Sequence, residues 1–186
     1  MRRRTAVWLL LLFAGQPAVA QDHGWFVTAQ LGVAEYETTQ KGPGGFWGVT
    51  DDSAFSWALG LGYAVNERVA IRGMFERSTG HTTTNRCPGT MPCPPIFIQE
   101  QADFHNLSLV AMPRMSIGPR TSLYATMGLQ YWDADGGPEL PSDDGFEFLF
   151  GGGLDYSLDG GFSLGAEVQG STADYLAGRV GIRYSW

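Results

Sequence analysis

The 186-residue chain holds 12 basic and 19 acidic side chains, a formal charge of −7, a balance that argues against a nucleic-acid partner. Its one lysine, Lys41, leaves it without the interspersed lysines that coat a soluble globular surface. No stretch beyond the N-terminal segment is long and apolar enough for a membrane helix, so if this chain crosses a membrane it does so as a closed barrel.

The first segment reads as a secretory signal. Arg2, Arg3 and Arg4 make a basic start, residues 6–15 an apolar core too short to span a bilayer, and Ala18, Val19 and Ala20 a small-residue cleavage site. Cleavage is expected after Ala20. The alternative, an N-terminal anchor, is opposed by the short run and by Pro17. Without the three signal arginines the mature chain, 21–186, carries nine basic against nineteen acidic groups, and its length fits one domain.

Period-two patterning then predicts strands over 25–37, 53–65, 69–77, 102–115, 122–133, 145–157, 162–170 and 174–186. Eight is an even number, as bacterial single-chain barrels require. Their coat is inverted. In the second strand Phe55, Trp57, Leu59, Leu61, Tyr63 and Val65 form one face and Ser56, Ala58, Gly60, Gly62 and Ala64 the other. A soluble sheet buries its bulky side chains, and a face of glycine, alanine and serine is no solvated exterior, so the bulky face is expected to meet lipid. Trp25, Val27, Ala29, Leu31 and Val33 continue this face in the first strand, Leu107, Leu109 and Ala111 in the fourth, and Leu176, Val180, Ile182, Tyr184 and Trp186 in the last. The expected fold class is all-β, an eight-stranded antiparallel up-and-down transmembrane β-barrel.

Charges within the strands give an independent check. Arg72, Glu76, Arg114, Glu147, Asp155, Glu167, Arg179 and Arg183 all fall on the small-residue phase and sum to zero. A basic side chain facing the bilayer midplane costs about 2–4 kcal/mol, whereas inside a narrow barrel opposite charges pair. For Arg114 and Asp155 a solvated strand end is the alternative. A lumen network is expected around Arg72, Glu76, Glu167 and Arg179, with Glu167 and Arg179 on adjacent strands at similar heights.

The links alternate in length. Short turns are read near Asn66-Glu67, Gly118-Pro119-Arg120 and Asp159-Gly160-Gly161, and longer links over 38–52, 78–101 and 134–144. Short periplasmic turns and long external loops place both termini on the periplasmic side. Cys87 and Cys93 flank Pro-Gly-Thr-Met-Pro in the second long link, and in an exported chain this pair is expected to form a disulfide that stiffens an external protrusion. Asp133, Asp135, Glu139, Asp143 and Asp144 offer oxygen ligands without the full spacing of a calcium loop, so a solvated acidic loop is the expected reading. No metal and no cofactor is predicted.

Gly151-Gly152-Gly153-Leu154-Asp155-Tyr156-Ser157, a short turn, then Phe162-Ser163-Leu164-Gly165-Ala166-Glu167 resembles the penultimate hairpin of the OmpA-like outer-membrane β-barrel family. Val180-Gly181-Ile182-Arg183-Tyr184-Ser185-Trp186 is similar to its terminal strand, with Trp186 where phenylalanine is usual. The resemblance implies that Tyr184 and Trp186 act as the signal read by the barrel-assembly machinery; they also suit an interfacial aromatic belt. It further implies outer-membrane lipid and lipopolysaccharide as surroundings, whose phosphate-bridging divalent ions the acidic loops are placed to share.

An enzyme needs a nucleophile and a base. His105 and Ser108, three apart in a strand, point to opposite faces; His81, beside Thr82, Thr83 and Thr84, is read as a loop residue, and His23 as lying near the opposite end. No triad follows, and eight strands leave a side-chain-filled interior rather than a wide channel. The expected function is a non-enzymatic role in envelope integrity or surface adhesion through the external loops. A lipid A modifying enzyme and a soluble periplasmic lipid-binding barrel of lipocalin type are the alternatives.

Overall fold

The computed structural model describes residues 24–41, 47–86, 99–135, 143–172 and 175–186. Within them the chain forms β1 (Gly24–Lys41), β2 (Trp47–Asn66), β3 (Val69–Arg86), β4 (Gln99–Ser116), β5 (Thr121–Asp135), β6 (Asp143–Ser157), β7 (Phe162–Ser171) and β8 (Tyr175–Ser185). Each strand pairs antiparallel with its sequence neighbours, and β8 returns to β1 to close the barrel. The Trp186 N–H donates to the Trp25 carbonyl at 3.0 Å, so the final residue bonds the first strand. Over the height of the Phe26–Tyr36 and Tyr175–Ser185 ladder, closure removes the open edges of the sheet, which a spanning sheet requires. Cys87 and Cys93 lie outside the described residues, as do residues 1–23.

The pleat sorts the side chains as the inverted coat predicts. Leu31 is 57% exposed, Leu109 62% and Phe148 66%, while the inward Met112 and Arg72 are at 0%. At the end carrying the C-terminus, Trp25 meets Tyr63 edge-on and Tyr184 stacks on Trp186; at the other, Trp57 meets Phe75 and Tyr131 meets Phe146. These two aromatic girdles bound an aliphatic band of the kind that sits in hydrocarbon.

Strand extent departs from expectation. Much of what reads as long links over 38–52 and 78–101 is ladder, because β1 to β4 continue past the apolar band. There the sequence is polar at successive positions, for example Thr82, Thr83 and Thr84, so the period-two signal fades although backbone pairing persists. The opposite end turns tightly. Asn66 Oδ1 accepts from the N–H groups of Arg68 and Val69, and Gly160 and Gly161 take φ of 78° and 81° in the turn before β7.

One irregularity positions the upper lumen. Ser78 pairs with Phe104 but His81 with Ala102, so β3 carries one extra residue between them. Gly80 absorbs this β-bulge at φ 88°. In an unbroken strand Ser78 and His81 face opposite ways; the bulge turns both inward, each at 0% exposure. His81 is therefore a lumen residue and not a loop residue.

Candidate functional site

The lumen is filled by three layers of polar side chains. In the first, Arg72 on β3 spans to Glu167 on β7 through two hydrogen bonds, Nη1 to Oε2 at 2.8 Å and Nη2 to Oε1 at 2.6 Å. Gln30 and Tyr124 each donate to Oε2 of the same carboxylate at 3.0 Å. Four donors thus converge on one buried anion, the arrangement that offsets its desolvation.

In the second layer Arg179 on β8 lies 3.3 Å from Glu76 Oε2 on β3 and donates to Gln169 at 2.9 Å and to the Tyr175 hydroxyl. Tyr175 in turn donates to Glu76 at 2.5 Å, and Asn106 donates to Glu76 at 3.2 Å and to the Tyr36 hydroxyl. In the third layer Arg183 donates to Asp155, with Arg114 at 3.9 Å from the same carboxylate. The Arg183 guanidinium also lies over the rings of Phe26 and Tyr124 at 4.8 and 5.6 Å.

Arg72, Glu76, Glu167 and Arg179 are thus gathered in one interior. Glu167 and Arg179 are register partners on β7 and β8, but each carboxylate takes its ion-pair contact from across the barrel. Tyr36, Gln30, Tyr124, Asn106 and Tyr175 are members that the charge pattern alone does not single out; their inward phase is the signal that finds them.

Above the second layer Ser78 Oγ stands 2.5 Å from His81 Nε2, and His81 Nδ1 is 3.2 Å from the Asp52 carbonyl. The ring is walled by Tyr36 and Phe104, at centroid distances of 5.1 and 5.0 Å. The spacing is that of a nucleophile and base, yet both side chains are sealed from solvent and lipid. The pair acts here as a clamp across the bulge. His105 faces outward against Phe75 while Ser108 faces inward, so those two do not meet.

Outside the lumen, an outward ion pair between Arg77 and Asp103 at 2.9 Å marks the upper limit of the apolar band. Glu35, Glu37, Asp133, Asp135 and Asp144 join it in an acidic collar on the outer face. Asp133 and Asp144 belong to strand ends rather than to a loop; Glu139 lies outside the described residues.

A family model described as outer membrane protein beta-barrel domain matches residues 5–184, and the chain belongs to that family. It is an outer-membrane barrel, which removes the soluble lipid-binding alternative. Among solved structures it is similar to the outer membrane protein OprG from Pseudomonas aeruginosa, at 13% identity over 94% of this chain and 99% of that one, with a TM-score of 0.61. Neisserial surface protein A is similar at 14% identity, 88% and 97% coverage and a TM-score of 0.59. So is Ail, the attachment invasion locus protein of Yersinia pestis, solved with the heparin analogue sucrose octasulfate, at 20% identity, 88% and 99% coverage and a TM-score of 0.53. No curated protein sequence matches the chain.

Proposed function

We propose that this chain is a non-enzymatic outer-membrane barrel whose external end serves envelope integrity or surface adhesion. The observation that carries this reading is the filled lumen: three layers of paired charge leave the barrel as a rigid stake, and β1 to β4 project its other end beyond the lipid band. A scaffold of this kind presents function on its loops. The acidic collar repels a polyanion such as the sucrose octasulfate held by Ail. It favours neutral or cationic ligands, and divalent ions shared with lipopolysaccharide phosphates. The test is a deletion strain. Raised permeability to large antibiotics or reduced attachment to host surfaces is expected, and wild-type behaviour in both assays would remove the proposal.

Three further assignments belong to this reading. Residues 1–20 act as the export signal. Cys87 and Cys93 are joined, which peptide mapping of unreduced protein from an oxidising periplasm tests, two free thiols refuting it. Tyr184 and Trp186 are read by the barrel-assembly machinery. A second reading, a lipid A modifying enzyme, is favoured by the Ser78–His81 spacing alone. Mass spectrometry of lipid A incubated with pure barrel separates the two.

A further inference from the structure

The lipid-facing coat is not even. A groove of about 890 Å³, walled almost wholly by apolar atoms, crosses the outer surface from β2 over β1, β8 and β7 to β6. Its floor lies where the small residues Ala29 on β1 and Ala166 on β7 take the outward phase, with their register partners Ile182 and Val180 on β8 between them. Trp57 stands at one end, in the external girdle with Phe75, and Tyr156 at the other, one residue short of the end of β6. Because barrel strands are tilted, a line of cross-strand neighbours descends through the membrane instead of running level with it. The groove follows such a line over four strand spacings of about 4.8 Å, or about 19 Å in all.

Length and lining select the occupant. One leaflet of hydrocarbon is about 15 Å deep, so a slanted furrow of this length takes one acyl chain descending from the external interface. Its upper end meets charge. Arg77 on β3 is the register partner of Trp57, its side chain is 42% exposed, and one Nη2 donor goes to Asp103. The rest of its planar fork suits a phosphate. The phosphate end thus lies at the external girdle, the leaflet of lipopolysaccharide. We infer that the groove between Trp57 and Tyr156 is a resident site for one phosphorylated lipid of the outer leaflet, lipid A, with an acyl chain over Ala29 and Ala166 and a phosphate on Arg77. The inference is independent of what the external loops bind.

The test titrates lipid A into the mature barrel in detergent micelles with a chelator present, so that no divalent ion bridges to the acidic collar, and native mass spectrometry counts the lipid retained. Saturation at one lipid A per barrel is expected. Ala166→Leu fills the floor and should weaken retention about tenfold, the order expected when about two methylene groups lose their wall. Ala29→Leu should do the same from β1, and stands in if Ala166→Leu fails to show heat-modifiable migration. Ala111→Leu, an outward change on β4 away from the groove, should leave retention unchanged. Arg77→Gln should weaken lipid A, whereas lipid A stripped of its phosphates should bind wild type and Arg77→Gln alike. Retention that rises without saturating, or that falls as far with Ala111→Leu, would mean an ordinary lipid annulus and overturn the inference. Equal retention of phosphatidylglycerol would overturn the choice of lipid A, and a dimer that Ala166→Leu dissociates would give the groove to a second copy instead.

Discussion

Arg72 and Glu167, 95 residues apart in sequence, meet across the barrel as a two-point ion pair with both side chains almost wholly buried. The two ends of the pair are unequally supported. Glu167 also receives Gln30 and Tyr124, whereas Arg72 has no other hydrogen-bonded partner among the described contacts and its Nε is unsatisfied. Removing the carboxylate therefore strands a buried cation, while removing the guanidinium leaves an anion with two donors. Glu167→Ala should cost about 3–5 kcal/mol in a denaturant titration, and Arg72→Ala measurably less. The double change should cost less than the sum of the singles. Coupling should also be larger for Arg72 with Glu167 than for Glu167 with Arg179. Equal coupling for the two pairs would contradict the cross-barrel pairing.

Gly62 faces inward beneath Phe26, and a Cβ there would fall 2.1 Å from the ring's Cζ. Gly62→Ala should destabilise by about 1–3 kcal/mol through overpacking. Adding Phe26→Leu should recover part of that loss. Gly80→Ala is a different case, because nothing lies within 4 Å of its added Cβ and φ is 88°. Its cost, again about 1–3 kcal/mol, is conformational. No second-site reduction in side-chain size should relieve it.

His81 stands four residues beyond Arg77, above the lipid band. Burial holds its imidazole pKa below the ordinary 6.5, against the opposing pull of the Asp52 carbonyl and of the Asp52, Asp103 and Glu76 charges. The unfolded chain then takes up a proton that the folded barrel resists. Stability should be complete above about pH 6.5 and fall as pH drops through that value toward the folded pKa, with a slope of up to about 1.4 kcal/mol per unit. His81→Gln should flatten that slope. An unchanged slope would assign the dependence to other groups.

Deleting Trp186 removes both its ring on Tyr184 and the N–H that donates to Trp25. The assembled fraction, read from heat-modifiable migration, should fall. Trp186→Phe keeps an aromatic end and the backbone bond and should restore assembly. Full assembly of the deletion would remove the signalling role.

The lipid-facing phase was legible because glycine and alanine opposite Phe55, Leu59 and Tyr63 leave only one apolar environment for the bulky face. The inward charges were legible for the same reason. Partner choice was not: Glu167 sits beside Arg179 in the register, and only the three-dimensional closure of the barrel brings Arg72 within reach. Ser78 and His81 escaped because one inserted residue at Gly80 shifts the frame by which a pleat is read.

The strands are unequal in height. β1 to β4 run 18 to 20 residues while β7 and β8 run 10 and 11. At about 3.3 Å per residue along tilted strands, one wall rises some 20 Å above the other. As a palisade the barrel thus has a high back and a low sill. Among the described strands, the rim is lowest at β7 and β8. The step leaves β1 above Tyr36 without a described neighbour on its β8 side, so the ladder of the upper wall is open along that flank.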